Sequence, residues 1–121
     1  MDQAILRTAA ETQATVHEWG QLRWLAGGTL GNASGLTLGR VLIHKGHGNP
    51  RHGHNNCEEA LYLMKGTLEH TAGDRTFIVH AGETLTIPAG MVHGARNIGD
   101  EDADMIVAYS SADRDFVVES H

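Results

Sequence analysis

Apolar positions along this chain come in short runs separated by turn signals. Such runs occupy residues 21–26 (QLRWLA), 36–44 (LTLGRVLIH), 59–64 (EALYLM), 67–71, 76–80, 84–87, 105–109 (MIVAY) and 115–119 (DFVVE). Glycine-rich or polar segments punctuate them: 27–32 (GGTLGN), 46–51 (GHGNPR), Lys65-Gly66, 72–75 (AGDR), Pro88 and the acidic stretch 100–104. Segment 72–75 reads as a hairpin turn between two strands. Residues 2–18 are polar with weak periodicity and suit a short helix or an arm. About eight short strands with no sustained helical period after residue 20 predict an all-β fold, a sandwich or a barrel. Closing the sheet removes exposed strand edges, but periodicity alone does not choose among closed architectures.

A length of 121 residues fits one compact domain, large enough for a core without disulfides. Fifteen glycines agree with frequent turns. The net charge of −6, with scattered Lys and Arg, argues against nucleic acid as a partner. No apolar stretch reaches membrane-spanning length, and the opening residues lack the apolar segment of a secretory signal. Cys57 is the single cysteine. A reducing cytoplasm is therefore the expected location.

The nine histidines change the picture. His52 and His54 stand two apart, a spacing that puts both imidazoles on one face of a strand. Glu59 opens the next apolar run and shares a face with Leu61 and Leu63. A carboxylate among inward leucines is costly unless it is paired or bound to a metal.

These residues sit in a larger pattern. Gly46, five residues, His52-Gly53-His54, four residues, Glu59, six residues and Gly66 form one motif. Gly82, five residues, Pro88-Ala89-Gly90, two residues, His93, three residues and Asn97 form a second, fifteen residues further on. In both the chain resembles the cupin superfamily at every fixed position. The resemblance implies a double-stranded β-helix, or jelly-roll β-barrel, with a metal inside. It implies an N-terminal arm over about residues 1–18 and a conserved barrel over about 36–110. Its ligands carry over as His52, His54, Glu59 and His93. A three-residue spacing after His54 would select Glu58 instead; the spacing to Gly66 and the inward alternation select Glu59. The implied cofactor is one divalent metal ion per chain, manganese or iron ahead of zinc or nickel.

The resemblance implies a metal-dependent enzyme acting on a small oxygenated molecule: a dioxygenase, an isomerase or epimerase, or a lyase. The other reading is a non-catalytic module that binds or senses a sugar or another small molecule. Glu58, His47 and Tyr109 are the acid–base candidates. His44, His70 and His80 suit surface or strand-face roles, Cys57 a small buried position, and Met64, Met91 and Met105 core or pocket wall. Gly66 and Gly82 suit turns of positive φ. Asn97 suits structural support or hydrogen bonding beside the ligands. Trp19 and Trp24 suit packing, an interface or a lid. The resemblance further implies a homodimer, with Trp24 and the apolar segment 22–26 as its expected contact.

Overall fold

The structure is a computed structural model that describes residues 3–119. After a 3-10 turn at Ala9–Glu11 come eleven strands: β1 (Ala14–His17), β2 (Gly20–Ala26), β3 (Thr37–Ile43), β4 (His52–Gly53), β5 (Glu59–Lys65), β6 (Thr67–Ala72), β7 (Arg75–His80), β8 (Thr84–Ile87), β9 (His93–Asn97), β10 (Ala103–Tyr109) and β11 (Val117–Val118). They form two sheets, β1-β2-β3-β10-β5-β8 and β11-β4-β9-β6-β7. Every pairing is antiparallel. This is the jelly-roll arrangement of a cupin.

Alternation builds the interior. In β3, β6 and β10, and in β5 as far as Leu63, every second residue is buried, because successive side chains of a strand point to opposite faces. Ile43, Leu63, Leu68 and Met105 are 1% exposed or less. Each contributes about 1.5–3 kcal/mol by leaving water.

Turn chemistry sets the registers. Ala72 pairs with Arg75 across Gly73-Asp74, and the positive φ of +61° falls on Gly73, the first central residue of the turn. Gly at that position matches the twist of the flanking strands. Gly66 has a φ of +99° and lies so close to β10 that a Cβ would stand 2.9 Å from the Ala103 Cα. Asn97 is 1% exposed. Its Nδ2 donates to the carbonyls of Ile43 and Glu101, and its Oδ1 accepts from the Gly99 N–H. Its role is to tie loops together, not to touch the site.

Three expectations need correction. The polar opening segment holds strand β1 as well as the 3-10 turn, because Ala14–His17 finds a partner in β2. Met64 is 39% exposed, on the outer face of β5. Trp24 packs inward against the hydrophobic core, with its ring over Gly39, where a Cβ would come within 2.7 Å of it. Gln21, Arg23 and Leu25 instead line a groove on the outer face.

Candidate metal centre

Strand pairing gathers the four predicted ligands. His52 on β4 pairs directly with His93 on β9. His54 follows one step beyond β4. Glu59, first residue of β5, lies between Ile87 of β8 and Tyr109 of β10. All four are buried, between 2% and 6% exposed. One donor atom from each lies within 4.8 Å of all the others. Glu58 points outward and is exposed.

The imidazoles are oriented from behind. The Nδ1 of His52 bonds the Pro50 carbonyl at 2.7 Å, that of His54 the Asp115 carbonyl at 2.6 Å, and that of His93 the Met91 carbonyl at 3.0 Å. A carbonyl only accepts, so each Nδ1 carries the proton and each Nε2 is left with a lone pair. The Nε2 atoms of His54 and His93 lie 3.3 and 3.1 Å from Glu59 Oε1. Those three atoms are buried and unpartnered among the described residues. Acceptors turned toward one another at a buried site fit a cation held between them. Three imidazoles and one carboxylate suit a divalent metal ion.

The electrostatics agree. Burial opposes the charge on Glu59, yet the facing His54 and His93 override it and draw the carboxyl down to about 2. Burial pushes His52 down to about 4. Burial works against the charge on His93 too, but Glu59 holds that imidazole above its usual value. Near neutral pH His52 and Glu59 are thus already in their ligating forms.

Beside the donors lies a cavity of about 210 Å³ with an apolar wall that includes Trp19, Leu22, Trp24 and Val107. Tyr109 lines it, with its ring 4.9 Å from that of His54. Burial, then the charge on Glu59, pushes its phenol far up. The group therefore remains an O–H donor. The other two acid–base candidates are not brought to the cavity. His47 is exposed, with its ring against His44, and Glu58 stands outside.

His70 is a cavity residue that sequence reasoning assigned to a strand face. It is 2% exposed, stacks on His93 at 5.7 Å and leaves its Nδ1 without a partner among the described residues. The alternation Leu68, His70, Ala72 carries the signal for its inward direction. Phe116 was also missed; it stacks on His52 at 4.6 Å. Cys57 is buried, and burial raises its thiol, which keeps it inert.

Comparison with known proteins agrees with this geometry. The cupin domain profile matches residues 39–109. Oxalate oxidase 2 of Hordeum vulgare is 33% identical over 111 residues, which cover 85% of this chain and 46% of that protein. This chain therefore spans about half the length of the curated relatives it matches. A solved structure of an oxalate oxidase aligns with a TM-score of 0.78 and 26% identity, over 86% of this chain and 57% of that one. The oxalate decarboxylase of Bacillus subtilis, studied for its Mn(II) centres, shares the fold with a TM-score of 0.83 and 23% identity, over 90% of this chain and 30% of that one. With the matched profile covering more than half of its length, the chain belongs to the cupin family.

Proposed function

We propose that this protein is a divalent-metal-dependent enzyme acting on a small oxygen-bearing substrate. The observation that carries the proposal is the convergence of His52, His54, Glu59 and His93 on the wall of a cavity of about 210 Å³. That volume is many times the ~10–15 Å³ that one water needs. The bound ion would act as a Lewis acid toward substrate oxygens. Manganese or iron is the proposed metal, because both accept carboxylate and imidazole donors together. The Mn(II) centres of the like-folded decarboxylase accord with that choice.

The chain's own residues supply the rest. The backbone carbonyls of Pro50, Met91 and Asp115 hold the imidazoles in register. Trp19, Trp24 and Val107 give the cavity an apolar wall beside the ligands, and a polar contact is stronger against such a wall than in open water. Tyr109 holds a proton at Oη and is placed to donate it in a hydrogen bond. The similarity to oxalate oxidase supports an enzymatic reading, without choosing among oxidation, isomerisation and lyase chemistry.

The test is turnover. Metal-loaded protein is assayed with diols, keto acids, dicarboxylates and sugars, with oxygen uptake followed in parallel. Turnover of at least one class, abolished by chelation, is expected. Tight binding of one compound with no turnover by any metal-loaded preparation would favour the binding-module reading.

A further inference from the structure

Arg114 is the one lysine or arginine that lines the cavity. Its guanidinium carbon lies 4.3 Å from the Trp24 ring centre, 5.0 Å from Tyr109 and 5.6 Å from Phe116. Tyr109 in turn packs on His54, and Phe116 on His52. A single aromatic ring therefore separates the guanidinium from two of the metal ligands. Arg114 lies beyond the residues that match the cupin profile, so family membership assigns it nothing.

The guanidinium has no counter-ion among the described residues. Among the described residues no carboxylate oxygen lies within 4.0 Å of it, whereas Arg40 and Arg51 pair with Asp104 and Glu119. Its neighbour Asp115 is engaged by the backbone N–H groups of Asn55 and Asn56. Stacking on aromatic faces stabilises a guanidinium without neutralising it. Around the cavity the charges add up simply. A divalent ion on three neutral imidazoles and one carboxylate leaves one net positive charge; Arg114 adds a second. Charge in a low-dielectric cavity is costly until it is paired, and Glu59 is already committed to the metal.

We propose that Arg114 is a specificity-determining residue and that the cavity takes a small organic dianion, one anionic end at the metal and a second carboxylate on the guanidinium. This rests on the metal-site reading above and narrows its substrate class. Arg presents N–H donors in a fork that matches a carboxylate, and the apolar wall fits a short carbon body between the two ends.

The test compares two acids that share a metal-chelating head and differ at the far end. 2-Oxoglutarate ends in a carboxylate, 2-oxopentanoate in a methyl group. Calorimetric titration of metal-loaded protein should show 2-oxoglutarate binding about tenfold or more tightly, the preference expected of one charge-assisted pair. Arg114→Met should abolish the preference and leave 2-oxopentanoate affinity within about twofold, and Arg114→Lys should keep part of it. Equal affinities in the wild type, no binding of either acid, or a preference that survives in Arg114→Met would overturn the proposal. The wild-type comparison stands even if a variant folds poorly. Metal stoichiometry measured on the same samples reports separately on the four-ligand site.

Discussion

The Nδ1 of His54 lies 2.6 Å from the backbone carbonyl of Asp115, a residue that the chain reaches only after β5 to β10 are complete. The Asp115 side chain fastens this contact: its Oδ1 accepts the N–H groups of Asn55 and Asn56, and its own N–H donates to Asn56 Oδ1. A ligand's orientation therefore depends on a residue that is not a ligand. Asp115→Ala should weaken metal affinity by about 10–100-fold, the usual effect of losing a partner that orients a ligand. A competition titration against a chromophoric chelator measures it, with bound stoichiometry at saturation unchanged.

Glu58 and Glu59 are adjacent in sequence and opposite in direction. Glu59→Gln should reduce metal affinity by orders of magnitude, because a neutral amide replaces the only carboxylate in the donor set. Glu58→Gln should leave affinity within about twofold, since its side chain is exposed. The same chelator competition distinguishes them.

His70 stacks on a ligand but does not belong to the donor group. His70→Leu should retain one metal ion per chain. Its buried Nδ1 has no partner to lose among the described residues, so stability should change by less than about 1 kcal/mol or rise. Thermal unfolding and elemental analysis check the two halves of this prediction.

Acidity should destabilise the metal-free protein in two stages. His52 and His70 are both held near 4 by burial, while their unfolded forms take up a proton near 6.5. Between those values the unfolded state binds more protons, so stability falls as pH drops from about 6.5 to about 4. Each group contributes on the order of 3 kcal/mol. Glu59, depressed to about 2 against a model-peptide value of 4.5, adds a further loss as pH falls from about 4.5 toward 2. His93 is raised and acts in the opposite sense: its contribution is present below about 6.5 and is lost as pH rises through its folded value. Denaturant midpoints from pH 7 to pH 3 should therefore decrease overall, and saturating metal should raise the whole curve.

Much of the site was legible in the sequence because its spacing is physically constrained. The pair His52 and His54 needs strand geometry, and Glu59 declares itself by sharing a face with Leu61 and Leu63. The pocket wall was far less legible. His70 lies on a strand whose alternation marks it as inward, yet a lone histidine carries no spacing signal. Arg114 and Phe116 reach the cavity only because hydrogen bonds between segments 55–56 and 113–115 draw the C-terminal segment across the barrel. Local sequence does not encode such long-range contacts. Strand β1 escaped for a similar reason: Thr15, Val16 and His17 are exposed, and their strand form comes from pairing with β2. For Trp24 the sequence left packing, an interface and a lid open, because only the tertiary packing shows that Gly39 clears room for its ring.

The most direct measurement is the metal content of protein purified without added metal, wild type beside the double variant His52→Ala/His54→Ala, by elemental analysis. About one divalent ion per chain in the wild type and almost none in the double variant is the predicted result. Equal metal content in the two would contradict a site built on these imidazoles.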